Sequence, residues 1–422
     1  MNPSRPPLLW ALRREPWRLL FPLGVVLGFW GTVPWLGLAT GTSEAYRGGF
    51  HAIVQFQGLL TCFATGFLFT FVPRRTATAP PSVLELGIAA LAPVAIAATA
   101  WFGLLSASTL VWLGLVATVL FFVAIRLHRA DEAHAAPAPF VWLLAGLLSA
   151  FGGTVMLVLG GMGVGDGFVM HGLGMTLVSQ GLFLPLVLGV GQAVLPSFLL
   201  ARPPVKHRIL SSDGALQASF AFLLLASFVI EWLGRPQLGW GVRAVVCFGV
   251  LMGMGGLWRR PTTPGLHHTF TWLSLWSLPV GSALAALWPA QRVAAAHVVY
   301  LGLGLMVLSF ATHLVLSHSR ATHGPSLPRA PVAAFGGLTL LALFARVAVA
   351  VDPARFLFWL GTAAAAFIAA GVVWLVWLAP RLWPRTPQQP PGGLPVTMTR
   401  RGPGPGPGDG AGGTRLPVLP QR

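Results

Sequence analysis

FHAIVQFQGLLTCFATGFLFTFVP, residues Phe50–Pro73, carries no acidic residue, lysine or arginine. A bilayer core about 30 Å thick is crossed by about 20 residues of helix. Lipid offers no partner to backbone N–H and C=O groups, so an apolar run of this length has to be an α-helix. Within it His51, Gln55, Gly58, Cys62 and Gly66 follow one another at spacings of four, three, four and four. That spacing sets all five on one stripe of a helix. The stripe reads as a close-packing face of small residues with an imidazole at one end. Neutral imidazole is a common ligand for haem iron and copper, and ionisable groups in bilayers are seldom idle.

Runs of this kind recur along the chain. Of its 422 residues 55% are hydrophobic and only 9% charged, and the mean hydropathy is +0.74. Twelve apolar runs can be counted, at about 17–40, 50–73, 83–105, 108–127, 139–160, 168–200, 212–234, 241–258, 267–289, 291–317, 331–351 and 356–379. The expected fold is therefore all-α, a polytopic bundle of about 12 transmembrane helices. The first run is too long for a signal peptide and is read as a retained helix. The sixth is long, and Pro185 and Pro196 are expected to kink or end it.

Basic residues orient the bundle. With both termini in the cytoplasm, only Arg47, Arg235, Arg243, Arg292, Arg346 and Arg355 of the 27 Lys and Arg residues fall outside, as the positive-inside rule requires. The net charge of +17 is spread over every inner loop. It reports topology rather than a nucleic-acid partner, and the partner it implies is the lipid bilayer. The two cysteines, Cys62 and Cys247, lie inside apolar runs without C-x-x-C spacing, which argues against a zinc ribbon or a structural disulfide.

Three segments are expected: a cytoplasmic N-terminal stretch 1–16, a membrane domain 17–383, and a Pro/Gly-rich tail 384–422. The tail's composition cannot bury a core, and a disordered cytoplasmic segment is expected. The glycine run Gly160–Gly167 has no following Lys-Ser/Thr and no preceding strand, so it reads as a loop.

The chemistry rests with histidine. His128, His134 and His207 sit among charged residues of inner loops. His51, His171 and His297 differ: His51 opens its helix, His171 lies near the start of one and His297 a turn or two into another, and all three helices begin at the outer face. They share one stratum of the membrane, with Met170 and Met175 near His171. Imidazoles at one depth can hold copper or ligate a haem, and bundle interiors are where such cofactors are built. His313 lies sixteen residues beyond His297, about 24 Å along a helix and on nearly the opposite face. It clusters instead with His318 and His323 towards the inner end. His267 and His268 open the ninth helix at that same face, which outlines a second histidine-rich zone. Intramembrane carboxylates are scarce, Glu231 being the nearest, which counts against a proton-driven transporter.

His51-Ala52, Gly58, Gly66-Phe67-Leu68, Thr70 and Val72-Pro73 match, without a gap, the second helix of the NnrS family, which reads about H-A-H-E-M-x-F-G and then G-F-L-L-T-A-V-P. LHHTFTW (Leu266–Trp272) is similar to that family's L-H-x-x-Y-x-W. His297 followed by Gly302 is similar to its H-A-x-T-V-G, and THLVLSHSRATHG to its T-R-x-S-L-G-H-T-G. LGVGQAVLPSF resembles its I-G-G-R-V-I-P-x-F, with Gln192 in place of Arg. The chain departs at Ile53 and Val54, where the family has His and Glu.

The resemblance covers about residues 17–380. It implies a haem- and copper-containing protein of a bacterial cytoplasmic (inner) membrane, linked to nitric oxide response and denitrification. The positions it carries over are His51, His267 and His297; His171 is added from depth alone. Cofactor ligands are thus expected at His51, His297 and His171, and metal ligands at these three and His267. Nitric oxide is the expected gas ligand. No complete catalytic constellation is visible. Two alternatives stay open: a secondary transporter with a broken sixth helix, and a divergent relative of haem–copper oxidase catalytic subunits. The latter lacks its H-x-x-x-Y here.

Overall fold

The stripe on Phe50–Pro73 finds its partner in the preceding helix. The computed structural model describes residues 8–202, 209, 211–253, 256–323 and 329–382; the expected tail and residues 1–7 of the N-terminal stretch lie outside them. A short α1 (Leu8–Arg14) leads into α2 (Trp17–Ala39). Next, α3 (Gly48–Ile53), a π-helical stretch (Val54–Leu60) and α4 (Thr61–Arg75) make one continuous rod.

All five stripe residues meet α2. His51 donates from Nδ1 to the Gly31 carbonyl at 2.9 Å. Gln55 Nε2 donates to Gly28 O at 3.0 Å and Thr32 Oγ1 at 2.9 Å. A Cβ on Gly24 would stand 2.9 Å from Cys62 Cβ, one on Gly58 3.3 Å from Leu27 Cβ, and one on Gly66 3.0 Å from the Phe21 ring. Small residues thus let the two backbones approach, which is how helices associate in lipid. The regular α-helix expected here is interrupted, however. The i→i+5 bonds of the π stretch widen the turn, and Thr61 Oγ1 donates to the Phe56 carbonyl at 2.7 Å.

The remaining helices are α5 (Val83–Trp101), α6 (Leu105–His128), α7 (Phe140–Gly161), α8 (Gly167–Leu200), α9 (Ser212–Trp232), α10 (Pro236–Gly253), α11 (Leu266–Leu287), α12 (Arg292–His323), α13 (Arg329–Val351) and α14 (Phe356–Leu382). Neighbours in sequence pack as hairpins, and α14 returns to pack on α2. The chain is a polytopic all-α bundle in which 11 described helices are long and apolar enough to cross a membrane. The eighth expected run, at about 241–258, is the exception. Its helix begins at Pro236, the first position of α10, and carries Arg243 fully buried in its middle. Proline suits a helix start, and the internal arginine lowers the helix's apolarity.

Neither proline ends the sixth run. α8 runs unbroken through Pro185 and Pro196, from an Asp166 cap to Ala201 at φ +50°. Backbone contact with α7 holds it: a Cβ on Gly153 would stand 2.8 Å from Gly174 O, and one on Gly189 2.7 Å from Pro139 O. One set of polar side chains links α7, α8 and α9 by hydrogen bonds, which meets the need lipid leaves unmet. Trp142 Nε1 donates to Gln217 Oε1, Gln217 Nε2 donates to Gln192 Oε1 at 2.8 Å, and Gln192 Nε2 donates to Leu188 O at 2.9 Å.

Candidate functional site

Where α3 begins, the bundle opens into a cavity of about 680 Å³, lined by residues of α2, the Gly48–Arg75 rod, α12, α13 and α14. His51 and His297 both line it, together with Trp35, Gln55, Tyr300 and Arg346; the rest of its wall is mainly apolar, including Phe56, Leu60 and Phe367. Both imidazoles lie within electrostatic range of Arg346. The Arg346 guanidinium has no ion-pair partner among the described residues.

Hydrogen bonding fixes the tautomer of both rings. His51 Nδ1 faces Gly31 O at 2.9 Å and His297 Nδ1 faces Val293 O at 2.7 Å. A carbonyl oxygen only accepts, so each Nδ1 carries the proton. Nε2 is then the nitrogen with an available lone pair, the arrangement in which a backbone carbonyl orients a metal-ligating histidine. Trp35 packs edge-on against His51 with ring centroids 5.4 Å apart, and Tyr300 against His297 at 5.7 Å.

A buried polar chain leads away from the cavity through Tyr300. Arg243 can only donate, so Gln180 turns Oε1 towards it at 3.1 Å and Nε2 towards Tyr300 at 2.8 Å. The Tyr300 oxygen must accept there, leaving its own hydrogen to be donated elsewhere. Arg243 is in turn held by Ser227 and by an ion pair with Glu231, which also receives Trp240 Nε1 at 3.1 Å and Arg292 at 3.4 Å. A single charge in such a place would be costly; the pair and its hydrogen bonds make it tolerable.

A second histidine group lies at the start of α11. Ring nitrogens of His267, His268 and His313 all come within 4.8 Å of one another and can hold a metal ion. His267 and His268 are buried and His313 half-buried. Phe198 of α8 packs on His268 and His313, with centroids 4.6 and 4.3 Å away.

The sequence-derived residues therefore separate into two places. His51 and His297 come together at the cavity. His267 does not join them; it meets His268 and His313, within the inner zone that clustering outlined. His171 is exposed near the start of α8 and does not line the cavity, because a shared depth does not fix the direction a helix face turns. His318 is engaged elsewhere, with Arg74 at 3.1 Å and Glu15 at 3.4 Å. Arg243 and Arg346, read from charge alone as outer residues, are respectively buried in α10 and set in the cavity wall. Tyr300 and Gln180 gave no sequence signal beyond their rarity in apolar runs.

Comparison with known families adds one result. A family model described as NnrS protein matches residues 11–385. No curated protein matches the chain.

Proposed function

The chain belongs to the NnrS family, and from that membership we propose that it is a haem- and copper-binding protein of a bacterial cytoplasmic membrane, acting in the response to nitric oxide. The observation that carries this reading is the pairing of His51 and His297 in one cavity, each with Nδ1 bound to a backbone carbonyl and Nε2 left to ligate.

The cavity suits haem by volume and by donor set. At about 680 Å³ it lies in the range of cofactor sites. His51 and His297 supply the imidazoles, and Arg346 supplies a positive charge for the carboxylate edge of the macrocycle. Haem held by these residues would supply an iron able to bind a diatomic gas. Trp35, Phe56 and Phe367 exclude water, and the Tyr300 hydroxyl offers a hydrogen bond to an oxygen or nitrogen atom of whatever occupies the pocket. A small apolar gas such as nitric oxide partitions into lipid and can reach a bundle interior from there.

The transporter reading drew on a broken sixth helix, and α8 is unbroken. An absorption spectrum of the detergent-purified protein, as isolated and after dithionite, tests the proposal. A Soret band with at least one iron per chain supports it; a featureless spectrum from cells supplied with haem contradicts it.

A further inference from the structure

We propose that His267, His268 and His313 form a second metal site, separate from the cavity, and that it takes a cuprous ion. This deepens the reading above by giving copper its own place, but its argument is independent of haem.

The cluster is built rather than incidental. Successive residues of a helix point about 100° apart, so adjacent histidines do not ordinarily share a target. Here the two ring centroids are 4.0 Å apart, and those of His267 and His268 lie 5.9 and 5.4 Å from that of His313. They converge where the chain enters α11 through Gly265, the residue before it, whose φ of +134° an L side chain rarely adopts. A Cβ there would stand 2.8 Å from His267 Cε1 and 3.1 Å from His268 Nδ1, so the rings lie over space only glycine leaves. His268 Nδ1 faces the Pro264 carbonyl at 3.0 Å and so holds the proton, which makes Nε2 the ligating atom. Three imidazole nitrogens about 2.0–2.1 Å from one ion stand roughly 3.5 Å apart. From a spread of at most 4.8 Å, small ring rotations close the site.

Charge selects the ion. All three donors are imidazoles, which bind a metal as neutral ligands, and the cluster contains no carboxylate or thiolate among the described residues. The cost of burying an ion grows with the square of its charge, so a univalent ion costs about a quarter of a divalent one of the same size. Zinc favours four ligands, and cupric copper a tetragonal set. Univalent copper accepts three imidazoles, and the apolar ring of Phe198 against His268 and His313 favours the lower charge.

The untagged full-length protein, purified in detergent under anaerobic conditions, should be titrated with Cu(I) from a chromophoric chelator, with copper and haem both counted per chain. One copper equivalent is expected, with the X-ray absorption signature of three-coordinate imidazole. His313→Gln and, from the other helix, His268→Gln should each lose it while keeping elution volume and haem content. His297→Gln should keep the copper. No uptake by the wild type, retention in both cluster variants, or loss in His297→Gln alone would overturn the site. Failure of the haem reading shows separately, as a wild type without a Soret band whatever its copper content.

Discussion

His297 and His313 stand on the same helix, α12, sixteen residues apart, and each completes a different histidine group. At 1.5 Å per residue the two are separated by about 24 Å, and 100° per residue turns them to nearly opposite faces. One rigid element thus ties the cavity to the three-histidine cluster. Changes at either group can be read independently, since sites this far apart without shared partners are additive.

Arg346 is the cavity's positive charge. Arg346→Gln should weaken haem retention by roughly tenfold or more, the value of a charge-assisted hydrogen bond of about 1.5–3 kcal/mol, without changing the ligation spectrum. Arg346→Lys should recover part of it. Haem transfer to apomyoglobin measures the loss; equal retention in Gln and wild-type proteins would remove Arg346 from the account.

Tyr300 is held by Gln180 as a donor. Tyr300→Phe should leave the Soret band in place and shift the stretching frequency of a diatomic ligand bound to ferrous haem. Gln180→Leu, which frees the hydroxyl to rotate, should broaden that band. Infrared or resonance Raman spectra decide the matter, and an unchanged frequency in Tyr300→Phe would show that the hydroxyl does not address the ligand.

The ion pair of Arg243 with Glu231 is almost wholly removed from solvent, at 0% and 9% side-chain exposure. Removing Arg243 should cost up to about 3–5 kcal/mol, because Glu231 is then left nearly buried with only the half-exposed Arg292 to balance it. Arg243→Met should therefore lower the unfolding midpoint in detergent sharply. Adding Glu231→Leu should restore much of it. Additive losses would mean that the two side chains do not act as a pair.

Gly153 meets the backbone of α8, with a Cβ placed 2.8 Å from Gly174 O. Backbone cannot rotate aside as a side chain can, so Gly153→Ala should cost about 1–3 kcal/mol through overpacking. Gly152→Ala, one residue away where a Cβ meets nothing within 4 Å, is the control and should be near neutral. Thermal unfolding of the two variants compares them directly.

Much of this was legible in the sequence. Apolar run lengths locate the helices because lipid leaves the backbone no other choice. The His51–Gly66 stripe predicted a tight partner, and α2 is that partner. His51 and His297 could be paired by depth since both lie near the starts of helices that begin at one face. Depth could not exclude His171, whose helix turns it outwards. Arg243 was hidden for a different reason: an arginine inside a membrane helix looks like a loop residue until Glu231, on the preceding helix, is seen beside it. The convergence of His267 with His268 depends on the backbone at Gly265, and the π stretch at Val54–Leu60 on hydrogen bonding within the rod. Neither is carried by residue spacing.

The most direct test of the cavity as a haem site is the haem-to-protein ratio, by pyridine haemochrome, of the wild type, His51→Ala, His297→Ala and His171→Ala purified side by side. Haem in the wild type and in His171→Ala, with its loss from both His51→Ala and His297→Ala at unchanged elution volume, is the predicted result. Full haem loading in either His51→Ala or His297→Ala would contradict it.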